Sequence, residues 1–383
     1  MLKESIALAG LGVLGIPDWA FPVLPQEATL VPFTDLPETV NLEPSPDRRI
    51  IDIRTIDGMF TPTDRFFTTQ HFGHPEIDVA AYRLRVSGLV ERPLSLSLEA
   101  LRAMPSRELV FGFECSGNRG PVNGLSSNGR WRGVPLRAVL EQAGVRPEAR
   151  EFVFFGADHG ESEVEFRGRT FPVDQQYGRS LQRDQALSDE PLLAYALNDE
   201  PLSTHQGRPL RLLVPGWYGA PNVKWLSEIH VQQDQYLGNY QARWYRTLKA
   251  EMINGEMKWT ETAITKMRLK SFIARVTREG TDRSRHNVFG VVLHDGTPIR
   301  SVEVRVDDGP WEPATLDPAT VSERYGWKFF NYTWNDATPG EHTVTSRATD
   351  VNGYVQPTTE ELDEVKLTFL EQNAQLPRRL VIA

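Results

Sequence analysis

The chain has 383 residues, 40% of them hydrophobic, and a net charge of -9. That length allows two domains, or one large and one small, and the apolar content is enough for a sizeable core. A pI near 5.5 argues against nonspecific nucleic-acid binding, which needs a basic face, and a single cysteine excludes an intrachain disulfide and any zinc site built from several cysteines.

Residues 1 to about 25 have the features of an export signal: Lys3 precedes an apolar stretch, Ile6 to Ile16, of h-region length. Met1-Leu2-Lys3 resembles the end of a twin-arginine signal without its Arg-Arg pair. This reading predicts a periplasmic protein; the bland alternative is a cytoplasmic chain with a short N-terminal helix or tail. No apolar run is long enough for a transmembrane helix. Residues 22 to about 48 are rich in Pro, Glu and Thr and read as an extended arm, so residues 1–48 form a signal remnant and arm.

Residues 49–245 read as one mixed α/β domain. Tyr82 to Val90 alternates as a strand, and Ser97 is a plausible N-cap for a short helix to Ala103. Val134 to Ala143 has helical spacing and stops at Gly144, a good C-cap. Glu151 to Gly156, Leu192 to Leu197 and Leu210 to Val214 are short apolar strands. Residues 240 to about 265 read as a connection. From Met267 onward, short strand-like segments are separated by Asp295-Gly296, Asp308-Gly309-Pro310 and Pro339-Gly340, the pattern of a β-sandwich of about 100 residues. The expected fold class is therefore α+β: a mixed α/β domain followed, within residues 246–383, by a connection and an immunoglobulin-like β-sandwich.

Two clusters carry chemistry. Apolar residues run into Phe113-Glu114-Cys115-Ser116-Gly117-Asn118-Arg119, and a polar, glycine-containing turn runs out, which reads as a strand delivering the only thiol to a loop. Such a thiolate can be a nucleophile or a ligand for a thiophilic metal, and the bland alternative is a buried, inert cysteine. The second cluster runs from Thr204-His205-Gln206-Gly207-Arg208-Pro209-Leu210-Arg211 to Gly216-Trp217-Tyr218-Gly219-Ala220-Pro221-Asn222-Val223-Lys224-Trp225. Arg211 and Lys224 flank a glycine-rich turn whose backbone N–H groups can hold an anion such as phosphate, although a solvated surface turn fits as well.

Together and in this order, the clusters resemble the sulfite-oxidase family of molybdenum-cofactor enzymes. The resemblance covers about residues 50 to 365. It rests on Cys-x-Gly-Asn-Arg at Cys115 to Arg119, Leu193-Ala194-Tyr195 with Asn198, Gly-x-Pro-x-Arg at Gly207 to Arg211, Val214-Pro215-Gly216 leading to Val223-Lys224-Trp225-Leu226, and Arg347-Ala348-Thr349-Asp350 with Gly353-Tyr354-Val355-Gln356-Pro357. It implies a molybdopterin-binding catalytic domain and a dimerisation domain. It implies a molybdenum-pyranopterin cofactor with Cys115 as thiolate ligand, and oxygen-atom transfer on a small sulfur compound. By position it makes Tyr195 the active-site tyrosine, and Gln70, His71, Asp158, His205 or Gln206, Arg211, Asn222, Val223 and Lys224 the cofactor contacts.

Sulfite, a small oxyanion, wants cationic donors. At the three positions where sulfite-oxidising members carry arginine, this chain has Thr69, Gly120 and a site close to Tyr332. Arg119, Arg130 and Arg132 are the candidates to compensate. A less charged or bulkier substrate is therefore expected as readily as sulfite. The chain has no Cys-x-x-Cys-His and no extra segment of cytochrome size, so no haem is expected in it. Electrons would pass to or from a separate protein such as a cytochrome c, and a homodimer is expected. The alternatives are reduction of an S-oxide or N-oxide on the same scaffold and, in a different class, a cofactor-free binding or structural protein.

Overall fold

A computed structural model describes residues 28–40, 48–120, 122–278 and 285–383. The proposed signal segment lies outside the described residues, as does part of the arm. Among the described residues no helix is long and apolar enough to cross a membrane.

The chain is mostly β. The mixed α/β expectation is corrected here: among the described residues the α-helices are four to eight residues long, the longest being Leu136–Ala143. Over the described residues helical stretches stay short, whereas period-two alternation recurs. Ser97 does cap Leu98–Ala103, accepting from the N–H of Ala100 at 3.1 Å, and Gly144 ends Leu136–Ala143 in the left-handed region at φ 71°. Val134 and Pro135, expected in that helix, instead finish the strand Ser126–Pro135.

Two five-stranded sheets frame the first part. One runs Leu94–Ser97, Arg83–Gly88, Leu226–Gln232, Glu151–Phe166, Arg169–Gln182. The other runs Glu200–Pro201, Leu192–Leu197, Ser126–Pro135, Arg107–Glu114, with Arg211–Leu213 also paired to Leu192–Leu197. Between them lies a core containing Leu84, Leu140, Phe152, Leu193, Leu212 and Ile229. The Glu151–Phe166 and Arg169–Gln182 strands make a hairpin far longer than the six-residue strand expected, because Arg167 and Gly168 adopt positive φ and close a tight turn. The connection expected at 240–265 is likewise corrected: Arg246–Ile253 and Glu256–Ala263 form a two-stranded ribbon around Asn254-Gly255, both at positive φ.

Arg48–Arg49 pairs with Thr68–Thr69, and the other strands follow one eight-stranded path: Thr29–Val31, Lys270–Arg278, His286–Leu293, Lys328–Trp334, Glu312–Leu316, Ile299–Val306, Gly340–Asp350, Arg378–Ile382. Its two ends meet, since Phe33 bridges to Leu380 just past the first strand, and the enclosed core includes Ile273, Val292, Val304, Phe330 and Val344. A further cluster joins Ile51, Ile53 and Met59 to Phe272, Val291 and Trp327, so the first part is packed on this C-terminal sheet through apolar contact.

Candidate active site

The strand Arg107–Glu114 ends at the thiol. Phe111 and Phe113 are buried, and Cys115 emerges partly exposed at the loop that follows. Its N–H donates to the Leu125 carbonyl at 2.9 Å, and its carbonyl accepts from the N–H of Asn118 at 2.9 Å. The Gly219 N–H donates to the Glu114 carbonyl at 2.7 Å, drawing the glycine-rich turn against the thiol loop. Burial pushes the Cys115 thiol up, while the Gly117 backbone N–H favours its thiolate.

Cys115, Arg211 and Lys224 line one cavity. Arg211 starts a strand paired with Leu192–Leu197, is 3% exposed, and lies over the rings of Trp131 and Phe113. Its Nη atoms donate to Gln206 Oε1 at 3.0 Å and to the Asn222 carbonyl at 3.0 Å, its Nε has no partner, and it has no carboxylate in salt-bridge range among the described residues. Burial pulls its guanidinium down to about 9, the signature of a desolvated cation without a counter-charge. Lys224 Nζ donates to Gln70 Oε1 at 2.9 Å and Thr68 Oγ1 at 3.1 Å, and sits 4.3 Å from the Trp225 ring centroid.

Asp158 reaches the cavity because the long hairpin slips register between Phe155 and His159, and such a bulge re-aims a side chain. A Cβ at Gly156 would lie 2.2 Å from Asp158 Oδ1, so only glycine fits behind it. That oxygen is buried and unpartnered, and burial pushes the carboxyl up to about 6 against the pull of Lys224. A third wall is aromatic. His71 Nε2 shares a 2.8 Å hydrogen bond with the Tyr245 hydroxyl, and its ring lies 4.5 Å from that of Tyr240 and 5.2 Å from that of Trp244. Burial, then the Lys224 charge, lowers His71 to about 4 and keeps it neutral.

Of the residues singled out from sequence, Gln70, His71, Cys115, Asp158, Gln206, Arg211, Asn222 and Lys224 all line this cavity. Three do not. Tyr195, the expected active-site tyrosine, shares the core between the two five-stranded sheets with Leu193, under the Arg102 guanidinium, while Leu192 and Ala194 take the face toward Phe113 and Trp131. Alternation along a strand sends neighbouring side chains to opposite faces. Val223 is fully buried, with its N–H given to Pro221 and its carbonyl to Leu212. His205 turns its ring to His74 and accepts from Lys224 Nζ at its carbonyl, and Gln206 is the member of that pair on the cavity. Sequence reasoning missed Tyr177 and Tyr245, which line the cavity, Tyr177 donating to the Ala220 carbonyl at 2.7 Å. Burial pushes both phenols up, so both stay protonated.

Of the compensating arginines, Arg130 pairs with Asp199 and Arg132 with Glu108, and Arg119 lies 4.6 Å over the Phe369 ring. Arg48, in contrast, pairs in register with Thr69, a cavity residue, and its charge favours the Cys115 thiolate.

A family model for the oxidoreductase molybdopterin-binding domain matches residues 71–240. Chicken sulfite oxidase is 32% identical over 321 residues, covering 78% of this chain and 68% of that protein. The chain belongs to the sulfite-oxidase family. Mouse mitochondrial sulfite oxidase is 29% identical over 347 residues, and the chain spans 60% of its length. The crystal structure of the sulfane dehydrogenase SoxCD from Paracoccus pantotrophus has the same fold, with a TM-score of 0.73 at 24% identity, over 93% of this chain and 90% of that one. The cavity suits the family's molybdenum–pterin group. Among the described residues no three His, Cys, Asp or Glu side chains gather to hold a metal, so a metal at Cys115 must bring its other ligands with it. Asp158 Oδ1 offers a free acceptor for pterin N–H groups, and Arg211 Nε a free donor for anionic oxygen.

Proposed function

We propose that this protein is a molybdopterin-dependent enzyme that transfers an oxygen atom to or from a small sulfur compound and exchanges electrons with a separate redox protein such as a cytochrome c. The observation that carries the reading is that the only thiol in the chain opens onto the cavity that holds a buried arginine without a counter-charge and a buried carboxylate oxygen without a partner.

When bound, the molybdenum–pyranopterin group would supply two-electron oxygen-atom chemistry. Cys115 would bind its metal as thiolate. Arg211 and Lys224 would hold its phosphate, and Asp158 would accept from its pterin N–H groups. Gln206, Gln70 and Asn222 orient those cations: Gln206 Oε1 and the Asn222 carbonyl fix the guanidinium, and Gln70 Oε1 fixes the ammonium. Tyr245, protonated and sharing a hydrogen bond with neutral His71, lines the cavity. Arg48, opposite Thr69, is the cation best placed to meet an anionic substrate. The C-terminal sheet would be an immunoglobulin-like dimerisation domain, and the protein periplasmic; an intact Met1 on cytosolic protein, found by N-terminal sequencing, would count against export.

The test is molybdenum content of wild-type protein and Cys115→Ser made in a cofactor-competent host, followed by sulfite addition. Bound metal whose spectrum changes in the variant is expected. No molybdenum in the wild type would sink the enzyme reading. Metal that sulfite leaves oxidised would move the substrate to other sulfur or nitrogen compounds.

A further inference from the structure

Glu114, directly before the thiol, is 1% exposed, and its Oε2 meets Lys270 Nζ at 2.9 Å. Lys270 is 4% exposed and opens Lys270–Arg278, a strand of the C-terminal sheet. Such a buried pair adds little net stability, because desolvating both charges offsets their attraction. Its neighbours suggest what it is for. The same Oε2 accepts from Asn118 Nδ2 at 2.8 Å, and Lys270 Nζ also donates to the Asn118 carbonyl at 3.1 Å. Asn118 Oδ1 in turn accepts from the N–H of Leu125 at 3.0 Å, closing the loop that carries the thiol. One ammonium from the C-terminal sheet thus grips the residue before Cys115 and the asparagine after it. A second tie comes from the same part of the chain, the Glu371 N–H donating to the Ser116 carbonyl at 2.7 Å.

We propose that Lys270 is a positioning residue for Cys115, so that the C-terminal sheet is a working part of the metal site. The inference rests on reading Cys115 as the metal's ligand. A metal–sulfur bond tolerates only about 0.2 Å of error, and a loop has no such precision unless other groups hold it. With one protein ligand, that hold must come from around the thiol.

The test uses Lys270→Met and the double variant Glu114→Met/Lys270→Met, which leaves no charge unpaired. Cys115 is the only thiol, so its alkylation rate in full-length, metal-free protein reports the loop directly. Lys270→Met is expected to speed alkylation roughly tenfold, as local opening becomes easier, and to lower molybdenum per folded chain. The double variant should regain thermal stability yet keep the fast alkylation, the low metal content and a shifted sulfur-to-metal absorption band. Wild-type alkylation and metal content in the double variant would overturn the proposal and leave the pair a folding element, and this holds even if Lys270→Met fails to fold. Faster alkylation in variants of a chain that never binds molybdenum would instead defeat the metal reading and leave the loop geometry standing.

Discussion

Arg378 and Arg211 are both buried arginines, and they are satisfied in opposite ways. Arg378, on the last strand of the C-terminal sheet, is 0% exposed and faces Asp35 of the N-terminal arm at 3.3 Å. Arg211, beside the cavity, gives its donors only to the Gln206 amide oxygen and the Gln206 and Asn222 carbonyls, with no carboxylate in salt-bridge range among the described residues. The first charge is balanced inside the chain. The second is held in place with its balance missing, at a real cost in desolvation, which is how a site prepared for an external anion looks.

Breaking the balanced pair should have the largest effect. Arg378→Met strands Asp35 beside apolar surface and should cost about 3–5 kcal/mol in urea denaturation, with cofactor content unchanged in whatever remains folded. Arg211→Met should do the reverse. Metal-free stability should hold or rise, while cofactor affinity falls on the order of 10- to 100-fold for the lost charge-assisted contacts, read as retention on gel filtration. Equal stability losses in the two variants would erase the distinction.

Titration sharpens it further. In the folded chain the Asp158 carboxyl keeps its proton up to about pH 6, whereas an ordinary carboxyl near 3.8 has lost it. The folded state therefore binds more protons between those values, and metal-free stability contributed by Asp158 falls as pH rises through that window. Asp158→Asn should remove that fall, roughly 3 kcal/mol at most, in denaturation series at stepped pH. His71 has the opposite sign. Folded, it stays neutral down to about 4, while an unfolded imidazole protonates near 6.5, so its contribution is lost as pH falls. His71→Gln should flatten that acid-side loss, and the two variants should bend the stability profile in opposite directions.

Local chemistry was readable in one dimension. The apolar run into Cys115 did become a strand ending at the thiol, and the glycine-rich turn between Arg211 and Lys224 did fold against it. The strand Ile299–Val306 lies between two of the turns marked in the sequence, Asp295-Gly296 and Asp308-Gly309-Pro310, because turn residues are a short-range signal. The ribbon Arg246–Ile253/Glu256–Ala263 was also signalled, by Asn254-Gly255, and was overlooked among charged and aromatic residues that hid its alternation. Tyr245 was a different matter. It meets His71 across 174 positions of sequence, and the carbonyls of Tyr240 and Ile264 are pinned by Arg179, itself far away in the chain.

Residue types, their periodicity and their turns thus fixed in advance that a lone thiol, two cations and a carboxylate would be available, and what chemistry such a set favours. Which side chains share one cavity was settled only by strand register and long-range packing. Tyr195 turned into the core because one step along a strand reverses a side chain, and Asp158 turned into the cavity because a bulge re-aimed it. Both outcomes depend on what each strand pairs with, and that partner lies too far along the chain for any local pattern to specify.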